Sequence, residues 1–156
     1  MDPVSIRQAL ASDAAAIDQM IHEAAAWVDA LGVVMWEDGE LDAARIAAEV
    51  TTGQFYLAEI DGAPAGAIRF QLEDALFWPD RPSGEAAFVH RLVVCRAFKG
   101  HGVSRALLEW AKGHARAQGR SRLRLDCDAD RPKLRALYDV IRRQPAEVMG
   151  EPIPLE

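Results

Sequence analysis

The sequence predicts an α/β chain of the mixed, α+β kind: one sheet with helices packed on its faces. Three observations carry this reading. Two strand-like runs flank an Asp61-Gly62 pair, and a strand, a glycine loop, a helix and a strand follow one another over 86–127. Apolar stripes of helical period appear on either side of these strands. The predicted order is β-α-α-β-β-β-α-β-α, with a candidate final strand in 146–153.

Val4–Ala9 reads as a short first strand. Ser12 or Asp13 caps a helix whose Ile17, Met20, Ile21, Ala24, Val28 and Leu31 form one stripe, and Gly32 ends it. A weaker helix covers Leu41–Val50. QFYLAEI (54–60) and APAGAIRFQL (63–72) flank Asp61-Gly62, a pair suited to a tight hairpin turn, with Pro64 shortening the second strand. After the Pro/Gly loop WPDRPSGE (78–85) comes a strand, Ala86–Val94. The helix Val103–Gln118 turns Leu107, Trp110, Ala111 and His114 or Ala115 inward, and Gly119 closes it. RLRLDC (122–127) alternates, and Pro132 opens a last helix with Leu134, Leu137, Tyr138 and Ile141 on its inner stripe. No repeat, low-complexity segment or long linker divides the chain, so 1–156 reads as a single domain.

The 156 residues are enough to bury a core, and 50% apolar with 27% charged is a globular composition. No window approaches the ~18 apolar residues of a membrane span. MDPVSIRQAL has no cationic segment ahead of an apolar one, so no secretory signal is expected. Cys95 and Cys127 are too few for a disulfide scaffold and read as reduced thiols, which points to the cytoplasm. A formal charge of −6 lacks the basic excess of a nucleic-acid binder and suits a cationic small substrate.

Residues 99–104, Lys-Gly-His-Gly-Val-Ser, lie where a strand hands over to a helix. A helix N-terminus offers unpaired N–H groups and partial positive charge, and glycines let a phosphate reach them. Lys99 adds a full charge. The Walker pattern G-x-x-x-x-G-K-[ST] is absent, and Arg105 stands where a dinucleotide fingerprint needs its third glycine. A turn without a ligand is the plain alternative.

HRLVVCRAFKGHGVSRALLEWA, followed by LRLDC, resembles the core motif of the GCN5-related N-acetyltransferases (GNAT), whose loop reads [QR]-x-x-G-x-[GA]. Lys99 takes the Gln/Arg place, Gly102 is the central glycine, Gly100 matches an Arg-Gly-x-Gly variant, and Ser104 replaces the last Gly or Ala. The opening IRQALASDAAAI, the Asp-Gly hairpin and the closing LRALYD look like that family too. The resemblance implies a GNAT-like acyl-CoA N-acyltransferase fold with acetyl-CoA as cosubstrate. It also implies that the backbone of Leu92, Val93 and Val94 pairs with pantetheine. Lys99, Gly100, His101, Gly102, Val103, Ser104 and Arg105 would then hold the phosphates. Transfer of an acetyl group to a primary amine of a small molecule or peptide is the implied function. A non-catalytic acyl-CoA-binding or regulatory module is the alternative.

Tyr138 stands where the family often has the tyrosine that returns a proton to the CoA sulfur. It also lies on an apolar stripe, which would make it plain core. The Gly-Phe that usually follows is replaced by Arg142 and Arg143, and the usual Asn by Arg131. An amine of pKa near ~10 must lose a proton before attack. By position the candidate bases are His90 and Glu85, with Glu73 behind them and a water relay as the alternative. On β-alternation Phe88, His90, Leu92 and Val94 share one face, and Val89, Arg91 and Val93 the other. Asp126, Asp128 and Asp130 begin like a calcium loop but lack its Gly and twelfth-position Glu, so no metal site is expected. Trp27, Trp36 and Trp78 are candidate lining for an acceptor cleft, whereas Trp110 is more simply core. A homodimer is the assembly to expect if the protein is not monomeric.

Overall fold

The computed structural model describes residues 3–30, 38–73 and 84–125. Its strands are β1 (Ser5–Gln8), β2 (Phe55–Ile60), β3 (Ala63–Gln71), β4 (Ala86–Val94) and β5 (Arg122–Leu125). Its helices are α1 (Ala14–Asp29), α2 (Ala43–Thr51) and α3 (Val103–Ala117). The strands form one sheet in the order β1-β2-β3-β4-β5. β1–β2 and β2–β3 pair antiparallel and β4–β5 parallel, so the sheet is mixed as the sequence predicts. The helix from Pro132, the strand in 146–153, Gly32 and Cys127 lie outside the described residues.

Local chemistry sets the element boundaries. A single 3₁₀ turn, Ala11–Asp13, precedes α1. Asp13 accepts the Leu10 N–H at 2.7 Å and both terminal nitrogens of Arg7 at 2.8 and 2.9 Å. The second helix begins later than the apolar pattern suggests, because Asp42 accepts the Arg45 N–H at 3.0 Å and caps it. The hairpin is tight, with Asp61 at φ 52° and Gly62 at φ 77°, the left-handed pair that the twist of antiparallel strands favours.

Pro64 requires a correction: it does not shorten β3. The strand begins at Ala63 and Pro64 sits opposite Glu59, with a register shift between Ala58 and Glu59. Ala65 drops out of that ladder, and its carbonyl accepts the Cys95 N–H at 2.8 Å instead. A bulge beside the proline lets the strand carry a residue that cannot donate.

By compactness the chain divides into two units, Met1–Arg69 with Arg91–Leu107, and Phe70–His90 with Leu108–Glu156. In the first, Ile17, Met20 and Ile21 of α1 and Ile46 and Val50 of α2 bury against Phe55, Leu57, Ala67 and Val93. Val93 is thus directed at the helices. In the second, Ala86–Val89 of β4 pair with Arg122–Leu125, and Arg124 is buried beside Leu123 and Leu125. Trp110 is not core: it is only partly buried, stacking on His114 at 4.7 Å with Phe70 edge-on to both.

Gly66 governs how β3, β4 and α3 meet in the first unit. A Cβ there would lie 2.7 Å from the Val93 carbonyl oxygen, 2.8 Å from Val103 Cγ1 and 3.3 Å from Leu107 Cδ1. Two of those contacts are closer than van der Waals packing tolerates. Gly66→Ala is therefore expected to destabilise the protein by roughly 1–3 kcal/mol. A thermal unfolding midpoint unchanged from wild type would contradict this close approach.

Candidate functional site

The site is built from the last residues of β4, the loop after it and the first turn of α3. Cys95 donates its N–H to β3, and Val93 turns its carbonyl the same way, against Gly66. Backbone groups alternate along a strand, so Leu92 and Val94 aim their N–H and C=O at the opposite edge. Their side chains are half-buried, whereas Val93 is buried among the helices. Arg91, just upstream, has φ 53°, a left-handed conformation inside a strand. Such a residue costs about 1–2 kcal/mol unless its surroundings hold it.

The loop continues with a 3₁₀ turn, Arg96–Phe98, closed by Lys99 N–H to the Arg96 carbonyl at 3.2 Å. The His101 N–H returns to the Phe98 carbonyl at 3.1 Å, and its ring meets Phe98 edge-on. Gly100 and Gly102, at φ 84° and 78°, reverse the chain twice, which side-chain-bearing residues resist. The Ala106 N–H donates to the Gly102 carbonyl at 3.0 Å as the first turn of α3 closes. The N–H groups of Val103, Ser104 and Arg105 come before that bond and have no helical acceptor. A Cβ on Gly100 would meet nothing within 4 Å.

The surroundings are cationic. Among the described residues, Arg96, Lys99 and Arg105 have no carboxylate ion pair. The Arg96 guanidinium lies 4.1 Å from the ring centre of Trp27, which is 40% exposed, and Lys99 Nζ lies 5.7 Å from it. Glu23 of α1 accepts the Arg96 backbone N–H at 2.9 Å. An open glycine, a helix N-terminus and surplus cations together suit an anion. Cys95 Sγ donates to the Pro64 carbonyl at 3.4 Å. Burial and the nearby Glu23 push this thiol above its usual pKa.

Of the residues singled out for catalysis, His90 is half-buried on β4. Glu85, just ahead of β4, pairs with Arg122 Nε at 3.0 Å and Arg124 Nη2 at 3.3 Å, so its carboxylate already serves two guanidiniums. Glu73 is exposed and approaches Arg120 at 3.6 Å. Tyr138, Trp36, Trp78, Arg131, Arg142, Arg143 and the aspartates 126–130 lie outside the described residues. Among the described residues, no cluster of His, Cys, Asp and Glu could hold a metal ion, and no helix is long and apolar enough to cross a membrane.

The sequence profile described as "Acetyltransferase (GNAT) family" matches residues 17–140. This chain belongs to the GNAT acetyltransferase family. It is similar to "Uncharacterized N-acetyltransferase YesJ" of Bacillus subtilis (strain 168), at 29% identity over 149 residues, covering 91% of this chain and 81% of that protein. A GNAT-family acetyltransferase structure from Listeria monocytogenes 4b F2365 superposes with a TM-score of 0.75 at 26% identity, covering 88% of this chain and 84% of that one. Diaminobutyrate acetyltransferase EctA of Paenibacillus lautus, solved with L-2,4-diaminobutyric acid and coenzyme A, shares the fold at a TM-score of 0.66 and 16% identity. The match covers 92% of this chain and 76% of that one.

This GNAT chain also carries a charge cluster that the sequence reading missed. Glu49 of α2 is buried, and its Oε1 and Oε2 accept from Arg91 Nε at 2.7 Å and Nη2 at 3.3 Å. Arg69 Nη1 of β3 stands 3.3 Å from Oε1 and Arg45 Nε of α2 3.2 Å from Oε2. The sequence signal was an arginine in a mostly apolar strand, but its partner lies 42 residues away. Burial pushes the Glu49 carboxyl up, and the Arg91 hydrogen bond, with the charges of Arg91 and Arg69, more than reverses this. The net result lies below the ordinary 4.5.

A carboxyl depressed in the folded state contributes stability that is complete above pH 4.5 and fades as pH falls through the folded value. Glu49→Gln is therefore expected to cost more stability at neutral pH than at about pH 3. Urea unfolding of both proteins across that range checks the sign, and a difference that grew on acidification would contradict it.

Proposed function

We propose that this GNAT member is an N-acetyltransferase moving the acetyl group of acetyl-CoA to a primary amine of a small molecule or peptide by direct attack. One observation carries the reading: a strand edge, Leu92 and Val94, runs straight into a left-handed glycine loop capped by a helix N-terminus. A cofactor with an amide-bearing arm and a pyrophosphate suits both parts in that order. The residues fit such a group, since Gly100 faces open space and Arg96, Lys99 and Arg105 are not neutralised by carboxylates among the described residues.

In this reading, Leu92 and Val94 bond the pantetheine amides, and Lys99–Arg105 receive the phosphates on backbone N–H groups with Lys99 adding charge. When bound, acetyl-CoA supplies an activated thioester. Holding that ester beside the amine makes the attack effectively unimolecular. A strand N–H among Leu92–Val94 polarises its carbonyl as negative charge develops on the oxygen. His90 takes the proton that the ammonium must shed, directly or through water, and Tyr138 gives its hydroxyl proton to the sulfur. Glu85 is the less available candidate, because two guanidiniums already hold its carboxylate. The setting in keeping with the free thiol of Cys95 is cytoplasmic.

The test is release of CoA thiol from acetyl-CoA across a panel of amines, amino acids and peptides. Turnover on at least one acceptor is expected. Tight CoA binding with none would return the chain to a binding module. Gly102→Trp is expected to abolish CoA binding measured by calorimetry while far-UV circular dichroism stays native. CoA affinity equal to wild type in that variant would remove the loop assignment.

A further inference from the structure

We infer that Glu49 is a positioning residue for the cofactor strand, acting through Arg91. This rests on the proposed pairing of Leu92–Val94 with pantetheine and goes beyond it, because Glu49 belongs to a different element, α2, and none of the site readings above includes it. Arg91 is the last residue before that edge. Its left-handed φ sets the direction in which the following backbone leaves, and therefore where the N–H groups of Leu92 and Val94 point. A residue with a β-carbon relaxes out of that region unless something holds it.

What holds it is the Glu49 carboxylate, gripping the guanidinium on two nitrogens, at 2.7 and 3.3 Å. A forked pair fixes distance and plane together, as a single apolar contact would not. The carboxylate itself cannot swing. Arg45 holds it from within α2 and Arg69 from β3, and Arg69 is fixed in turn by two bonds to Gln54 Oε1 at 3.0 and 2.8 Å. If only packing of α2 on the strand were needed, an apolar pair would serve without desolvating charges. The arrangement instead gives one defined orientation to the residue where β4 turns.

Arg91→Met tests the hold, since it keeps the β-carbon that resists φ 53° yet offers Glu49 nothing to grip. The expected result is a folded protein whose CoA dissociation constant and acetyl-CoA KM rise about tenfold, the scale of one charged hydrogen bond, with the acceptor KM nearly unchanged. Arg91→Lys should recover part of the loss, and Glu49→Gln, nearly isosteric, should shift the same constants in the same direction. If both Arg91→Met and Glu49→Gln bind CoA as wild type does while melting earlier, the cluster serves stability alone and the inference is overturned. Hydrogen exchange on the wild type separates this from failure of the underlying reading. CoA should protect the Leu92 and Val94 amides. No protection there overturns the strand reading and the inference with it, whereas protection with unaltered variant affinities overturns the inference only.

Discussion

The absence of a side chain at Gly66 is the constraint on which the rest of the site depends. β3 must come close enough to β4 for the Val93 carbonyl to rest on the Gly66 backbone, and α3 must begin close enough for Val103 and Leu107 to cover the same spot. Those contacts fix both ends of the loop, Val93 before it and Val103 after it. Between them the chain passes through the 3₁₀ turn at Arg96–Phe98 and the left-handed Gly100 and Gly102. A bulkier residue at 66 would push the strand and the helix apart and so move both ends of the loop.

Polar groups then decide which way the strand faces. The proline in β3 removes a donor, the bulge beside it frees the Ala65 carbonyl, and that carbonyl takes the Cys95 N–H. One lost hydrogen bond on the hairpin side thereby becomes a fixed point on the β4 side. By alternation it leaves Leu92 and Val94 facing outward, on the edge a cofactor arm would need. On the helix side, Val93 enters the apolar cluster while Arg91 enters the charged one, so the same face of β4 is bound by two different forces.

The parts legible in the sequence were those encoded locally. Gly100 and Gly102 announce a turn because few other residues accept their dihedrals. The Asp61-Gly62 pair does the same for the hairpin, and the stripe of Ile17, Met20 and Ile21 marks α1 by period alone. What the sequence hid depends on residues far apart in it. Nothing near Arg91 signals a left-handed φ, since arginine has no preference for that region, and the carboxylate that binds its guanidinium lies 42 residues earlier. Glu85 looked like an available base because Arg122 and Arg124, which engage it, come from a strand that follows a whole helix later. Pro64 was misread for a different reason. A proline usually weakens a strand, and only the pairing register reveals a bulge that accommodates it.

The thiol of Cys95 bears on how the end of β4 is held. Partial burial, the neighbouring Glu23 and the hydrogen bond to the Pro64 carbonyl all favour its protonated form. A thiol kept protonated is a poor nucleophile. The same residue ties β4 to β3 twice over, by its backbone N–H to Ala65 and by its sulfur to Pro64, so a side chain of potential reactivity serves here as a second fastening of the strand end.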